Sequence, residues 1–372
     1  MIPAGTPYRV LVLGGLGHFG ARICRALSAT PGFDVLAAGR HPNVPAFGGI
    51  RFEAERVGLD ANAPGLATRI RDLRAALVIH TAGPFQGQDY HVARAAAEAG
   101  AHYIDLADGR AFVSGFTSAM ADTATRHDVL AVTGASSVPG LSSAVVDALA
   151  PAFRQIDTIE LCIAPAQQTP RGTATMAAVL GYAGRPIRWL EDGNWKTVHG
   201  WLAHRRFRFA DMPPRLAAAC DVPDLELFPA RYPGVRTVTF HAALEIGIQM
   251  YALATLAGFR RAGLPLPLDR WAAALNRLSL AFNPFGGARG GMVVRVTGAG
   301  SDGNHAVREW HLTADDNHGP EIPCMAAILL AQQLARGERT TRGAMACTGL
   351  LRLDDFARLF AQWGIRTQVI AA

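Results

Sequence analysis

The chain reads as an α/β protein, a doubly wound parallel sheet followed by a second, α+β domain with a mostly antiparallel sheet. Three observations predict this. Apolar runs of strand length alternate with helix-spaced segments through the amino-terminal part. A glycine cluster joins the first such strand to the first helix. Later strands instead alternate apolar and polar residues, as antiparallel sheets with one solvated face do. A length of 372 residues suits two domains, and a composition 50% hydrophobic and 18% charged supplies two interiors. The expected division is 1–150 for the first domain and 151–320 with 339–372 for the second, a helix around 321–338 packing back on the first.

In order, "RVLVLGG" from Arg9 is a strand running into the glycines, and "FGARICRALSAT" is a helix. "DVLAA" (Asp34 to Ala38) is a second strand, and "RFEAERVGL" holds a third that ends near Leu59. "PGLATRIRDL" has helical spacing. "AALVIHTAG" is apolar throughout, as a parallel strand covered on both faces should be. The alanine-rich helix "HVARAAAEAG" stops at Gly100. "AHYIDLA" and "DVLAVTGA" supply a fifth and a sixth strand.

Composition excludes several chemistries. The only lysine is Lys196, and Asp192 stands four residues before it, so the Tyr-x-x-x-Lys pair of short-chain dehydrogenases is absent. Five cysteines, Cys24, Cys162, Cys220, Cys324 and Cys347, form no Cys-x-x-Cys, which suggests neither a zinc site nor a disulfide framework, and no metal is expected. The formal charge is +6, and its densest run, His204 to Phe209, reads as a solvated edge strand or anionic-substrate rim; no nucleic-acid signature accompanies it. No signal peptide is visible, and the apolar stretch Ala242 to Phe259 carries Glu245 and Gln249, so no integral membrane segment is expected. A cytoplasmic location is the default expectation.

Gly15, Gly17 and Gly20 form G-x-G-x-x-G after a strand and at a helix start, with Leu16, His18 and Phe19 between them. The first glycine permits the turn, the second admits a pyrophosphate, and the third lets helix and strand pack closely. The second strand ends in Gly39, Arg40 and His41, where an NAD site usually carries an acid. A guanidinium suits a 2′-phosphate, so NADP(H) is the expected cofactor. Asp60 is placed near the adenine, or else as a helix cap. Ala82, Gly83, Pro84 and Phe85, ending the fourth strand, are placed along the nicotinamide ribose. Tyr103, Asp105 and Asp108 stand at the carboxyl edge of the fifth strand, where such sheets bind ligands; each is a candidate proton donor, and each has a structural alternative. Asp108 also counts among the cofactor contacts, with Ser136, Val138 and Pro139 in the next glycine- and serine-rich turn. His80, His241 and His311 are further positional candidates with weaker support.

"GGLGHFGARI", "AAGR", "AGPFQGQDYHVARAAAEAGAHYIDLADG" and "GASSVPGLSSAVVDALA" together resemble the saccharopine dehydrogenase-like (saccharopine reductase-like) family. The resemblance covers the first domain well and the rest only in outline. It implies an NADP-linked Rossmann domain, an α+β domain that covers the nicotinamide and often dimerises, and hydride exchange between an imine and its secondary amine. The family also includes lipid-pathway enoyl reductases, and the second half departs from true saccharopine reductases, so the substrate does not transfer.

In the second domain "DTIELCIAPA" (Asp157 to Ala166) is a strand, and Arg171, Thr173 and Thr175 stand at the start of the next helix, either holding a substrate carboxylate or forming an ordinary cap. "GVRTVTFHA" is a strand, and "GMVVRVTGAG" with "HAVREWHLTA" is a hairpin around "SDGN". "HAALEIGIQMYALATLAGF" (His241 to Phe259) reads as an apolar helix buried at a domain or dimer interface, the alternative being contact with a lipid or an apolar substrate. "FNPFGGARGGM" is a loop carrying Arg289, a lid or a connection, with Arg289 a substrate candidate. "IPCMAAILLAQQLARGE" is a helix and "IRTQVI" a last strand. The expected protein is an NADP-dependent oxidoreductase, a homodimer, acting on an imine, secondary amine or related small carbonyl compound. The alternatives are an enoyl or carbonyl reductase of a lipid-like or polyketide intermediate, and a non-catalytic NADP sensor.

Overall fold

The computed structural model describes residues 7–371. The chain divides into two compact units. One runs to Leu141 and resumes over Glu321–Leu351; the other comprises Ser142–Pro320 and the segment from Arg352 on.

In the first unit β1 (Tyr8–Leu13), α1 (Gly20–Ser28), β2 (Phe33–Gly39), β3 (Glu55–Gly58), α2 (Leu66–Asp72), β4 (Leu77–His80), α3 (His91–Glu98), β5 (His102–Asp105), α4 (Arg110–Arg126) and β6 (Leu130–Thr133) alternate as expected. The strands are parallel in the order β6-β5-β4-β1-β2-β3. Central strands are covered on both faces, which is why β4 reads Leu-Val-Ile-His with all four residues buried. The chain leaves β1 toward β2 and β3, then comes back to lay β4 on its other side. That reversal opens a crevice at the carboxyl ends of β1 and β4. Helix α3 closes on Gly100, whose φ of 78° only glycine adopts at little strain.

The second unit contains α5 (Ser142–Leu149), β7 (Phe153–Ala164), α6 (Thr173–Gly181), β8 (Pro186–Glu191), β9 (Asn194–His199), β10 (Arg205–Phe209), β11 (Met212–Ala219), α7 (Asp224–Arg231), β12 (Thr237–Ala243), α8 (Gly247–Arg261), α9 (Ala272–Leu280), β13 (Gly290–Gly300) and β14 (His305–Ala314). β7 and β12 are parallel and every other described pairing in this sheet is antiparallel. The run His204 to Phe209 falls on β10, at the sheet edge. Helices α6, α8 and α9 enclose an apolar core of Leu180, Trp201, Met250, Leu268 and Ala272.

After β14 the chain forms α10 (Ile322–Ala335) and β15 (Gly343–Ala346), both in the first unit, where β15 pairs with β6 as a seventh parallel strand. α11 (Ala357–Gln362) and β16 (Arg366–Ala371) end the described chain, β16 pairing with β14. Buried Arg22 of α1 donates from Nε to Glu321, at the base of α10, over 3.0 Å, and Arg25 donates to the same carboxylate over 2.8 Å. This pair ties the two distant chain segments of the first unit together.

Several details differ from the sequence reading. Ser142–Leu149 falls in the second unit, where this helix packs on β13 and α7, and β15 falls in the first by pairing with β6; both are long-range contacts invisible to local periodicity. His241–Ala243 belongs to β12 and not to the helix that follows; pairing with β11 claims these residues, and α8 starts only at Gly247. α8 is also not buried all round, since Ile248, Tyr251 and Phe259 are exposed. Helix α4 and the β8–β9 hairpin were not anticipated. The hairpin had a signal: Asp192 and Gly193 both take positive φ, 54° and 80°, the two-residue turn that Asp-Gly favours.

Glu321→Ala should strip a buried guanidinium of its carboxylate and lower stability by roughly 3 kcal/mol. Urea unfolding of the variant against the parent measures this, and Glu321→Gln should recover part of the loss.

Candidate cofactor-binding site

The glycine loop is a crossing of backbones at closest approach. Gly14, at φ 80°, turns the chain out of β1; the N–H groups of Gly14 and Gly15 both donate to the Ala38 carbonyl, over 2.9 and 3.0 Å. A Cβ on Gly15 would lie 2.8 Å from Ala37 Cα and 2.9 Å from the Val12 carbonyl oxygen. One on Gly17 would lie 3.0 Å from the Gly14 oxygen, and one on Gly20 would collide with that same oxygen. All three obstacles are backbone and cannot swing away. Helix α1 therefore starts against β2 with no side chain capping it and no acid in its first turn. Its amino terminus presents the positive end of the helix dipole to the crevice.

A cleft of about 500 Å³ lies over this loop, entirely within the first unit. Of the anticipated residues, Leu16, Gly17, Gly39, Arg40, His41, Asp60, Ala82 and Gly83 line it. The end of β2 carries Gly39, Arg40 and His41 with no carboxylate among them. The following loop is held in place from two sides: the Phe47 N–H donates to the Leu16 carbonyl over 2.9 Å, and Arg56 of β3 donates to the carbonyls of Pro42 and Val44. His18 and Phe19 do not line the cleft. The His18 ring lies 4.6 Å from the rings of both Phe19 and Phe47, packing the glycine loop against its neighbour.

At the other end, the side chain of Gln88 donates to the carbonyls of Ala82 and Pro84 and so fixes the loop after β4. Phe85 is not a wall of the cleft. It is buried, 5.0 Å from the His80 ring and 5.4 Å from Phe112, and is a core residue. Burial pushes the His80 imidazole down to about 4, so it is neutral at pH 7; its Nδ1 lies 3.1 Å from the Tyr103 hydroxyl.

The three proton-donor candidates separate clearly. Tyr103 is 1% exposed, stacked on Phe116, and burial raises its hydroxyl well above the ordinary range. Asp105 is wholly buried, and its Oδ1 accepts from the Thr133 hydroxyl and from the N–H groups of Ala107 and Gly134. It locks the exits of β5 and β6 together, a structural task. Burial still dominates and raises its carboxyl to about 6. Asp108 alone keeps partial exposure; Gln86 donates to it over 3.2 Å, and burial raises its carboxyl. Ser136, Val138 and Pro139 line no part of the cleft. Gly134 packs so tightly on Pro139 that a Cβ there would lie 2.7 Å from Cδ, and Val138 and Pro139 are buried.

In the second unit Arg171 donates to the Ser279 hydroxyl over 3.0 Å and to the Gln167 carbonyl over 3.1 Å, while Thr173 opens α6 and is exposed. Arg289 pairs with Asp315 and donates to the Asp211 carbonyl, which makes its segment an anchored connection. His241 is buried between the rings of Trp189 and Phe207, and His311 is buried beside Glu309. The sequence reading missed Val44, Asn62, Gln88 and Val92 in the cleft wall. Gln88 and Val92 lay inside stretches already singled out, but nothing in their spacing marked them.

A parallel sheet with a glycine cradle at its switch point and an uncapped helix start defines a dinucleotide-binding protein. Residues 10–137 match the family described as the saccharopine dehydrogenase NADP binding domain, in keeping with the Rossmann architecture of this part of the chain. The cradle, which no Cβ could share, fits the diphosphate of a nicotinamide dinucleotide. Among solved structures the chain is similar to apo saccharopine dehydrogenase (L-Glu forming) from Saccharomyces cerevisiae, with 13% identity over 98% of this chain and 100% of that one, at a TM-score of 0.65. It is also similar to homospermidine synthase from Legionella pneumophila in complex with NAD, with 10% identity over 98% of this chain and 91% of that one, at a TM-score of 0.57. At these identities the likeness is one of fold. No curated protein matches the sequence.

Gly20→Ala should force the Gly14 carbonyl out of place and weaken dinucleotide binding by tenfold or more, about 1.4 kcal/mol, as read by cofactor titration. For Asp105 the folded state holds its proton to about pH 6, whereas the unfolded chain releases it near 3.8. Ionisation thus opposes folding, and the parent should lose stability relative to Asp105→Asn as pH rises from about 4 to about 6. Unfolding curves at both ends of that window check the sign.

Proposed function

We propose that the chain is an NADP(H)-dependent oxidoreductase that exchanges hydride with an imine, a secondary amine or a related small carbonyl compound. The observation that carries the cofactor choice is the end of β2, where Gly39, Arg40 and His41 line the cleft and no carboxylate stands to bind a free 2′-hydroxyl. Gly15, Gly17 and Gly20 bring the α1 amino terminus to the pyrophosphate, and Arg40 with His41 receives the 2′-phosphate. Asp60 and Asn62 flank the adenine, and Ala82 and Gly83 form the small-residue floor beside the nicotinamide ribose. When bound, the nicotinamide supplies or accepts the hydride. The chain contributes orientation, and Asp108, with its raised carboxyl, is its candidate proton donor in the first unit. For an imine substrate that arrives protonated, no such donor is required. The amine reading is supported by the names of the two similar structures, since saccharopine and homospermidine are both secondary amines.

A second reading keeps the same cofactor site and assigns an enoyl or carbonyl reductase of a lipid-like intermediate. The exposed apolar face of α8 favours it.

Arg40→Asp should lower the ratio of NADPH to NADH affinity by about tenfold or more, the loss expected when a phosphate-binding guanidinium becomes a carboxylate. An unchanged ratio removes Arg40 from the site. NADPH absorbance, followed with keto-acid and amine pairs and with enoyl thioesters, separates the two substrate readings; consumption with neither class rejects both.

A further inference from the structure

One short segment reaches two walls of the cofactor cleft. Between β4 and the start of α3, Gln88 lines the cleft and holds the loop after β4 through the carbonyls of Ala82 and Pro84. Three residues on, His91 Nε2 lies 3.0 Å from the carbonyl oxygen of Ala61, in the loop after β3. Asp60, Ala61 and Asn62 of that loop all line the cleft. Their turn closes on itself through the Asn62 N–H, which donates to Asp60 Oδ1 over 3.0 Å, and His91 ties it to α3. Asn62 and Gln88 also border an adjoining cleft of about 510 Å³, whose other walls are Gly87, Asp89 and His91.

The chemistry of the His91 ring explains how the tie is made. A carbonyl oxygen only accepts, so Nε2 carries a hydrogen. Nδ1 faces Asp89 Oδ1, which also accepts from the His91 backbone N–H over 3.0 Å. The bonds from the His91 ring and backbone hold the Asp89 carboxyl below the usual carboxylate range, so it too only accepts. Only an imidazolium makes both ring bonds at once. Helix stability does not ask for one here: His91 is the first residue of α3, where the helix dipole favours an acid, and the first turn contains none. Asp89 offsets that mismatch. What the placement gains is a bond to Ala61, 30 residues away in sequence.

We propose that His91, oriented by Asp89, is a positioning residue for the adenosine half of the dinucleotide. By holding the Ala61 carbonyl it fixes the Asp60–Asn62 wall of the cleft. A wall fixed before the cofactor arrives need not be ordered on binding, and the ordering cost is removed from the affinity. The inference rests on the cofactor reading above, which places the adenine beside Asp60 and Asn62. The loop beside the nicotinamide ribose has its own brace in Gln88, so loss of His91 bears on one half of the cofactor.

The test is titration of the full chain with NADPH and with adenosine 2′,5′-bisphosphate, or with NADH and adenosine 5′-diphosphate should the parent prefer NADH. His91→Phe keeps an aromatic ring and removes both ring donors. It should weaken the dinucleotide and its adenosine half by the same factor, about fivefold or more. His91→Gln retains one N–H for Ala61 and should fall between His91→Phe and the parent. Asp89→Asn leaves the imidazole in place without its carboxylate and should weaken both ligands in the same way, which keeps the comparison available if His91→Phe does not fold. Unchanged affinity for the adenosine half in the folded variants overturns the proposal. So does a clearly larger loss for the dinucleotide than for its half, the mark of general loosening, or a glutamine variant as weak as the phenylalanine one. A parent that binds neither NADPH nor NADH fails the cofactor reading and this inference with it; a parent that binds, with variants that bind equally well, fails this inference alone.

Discussion

The first unit depends on one close approach. Where β1 passes through its glycine turn into α1, the loop is pressed onto β2 until the spaces for three β-carbons are taken up by backbone atoms of Val12, Gly14 and Ala37. That compression sets the start of α1 at the sheet's switch point and leaves its N–H end uncapped. An anion-binding cradle made this way needs no charged side chain. It is a property of where two backbones cross, and side chains enter only at its ends, with Arg40 and His41 at one and Ala82 and Gly83 at the other.

The rest of the unit can be understood as holding that crossing still. Phe47 and Arg56 fasten the loop after β2, and Gln88 fastens the loop after β4. Asp105 ties β5 to β6 through three donors on one oxygen, and Glu321 brings α10 to the back of α1 through two arginines. Both carboxyl groups are buried; two guanidiniums answer Glu321, and three donors converge on one oxygen of Asp105. Strand-end position made Asp105 look reactive in the sequence. Its burial makes it a brace, and Asp108, three residues on and only half-buried, keeps the exposure that proton transfer requires.

The second unit has a different logic. Its sheet and its three-helix core are complete in themselves, yet α8 keeps large apolar side chains on the side away from that core. A helix that is apolar on most faces is usually buried on most faces. Here the inner stripe is Met250 and Ala257, with Leu253 and Leu256 packed against the same core, and Ile248, Tyr251 and Phe259 are exposed on the outer side.

Most of the fold was legible in local pattern. The strand-glycine-helix start, the apolar β4, the Gly100 stop and the β13–β14 hairpin all follow from periodicity and turn chemistry, which act between residues close in sequence. The cradle and the acid-free end of β2 were legible for the same reason, because the residues that make them adjoin the strands that place them. What only the tertiary structure decided involved partners far apart along the chain. Pairing of β15 with β6, the capture of Glu321 by Arg22, the burial of Tyr103, Asp105 and Phe85, and the claim of β11 on His241–Ala243 each join segments that no local window contains. Local sequence determined which backbone shapes were available and where a dinucleotide could lie. Long-range packing determined which polar groups remained in contact with solvent, and therefore which of them can do chemistry.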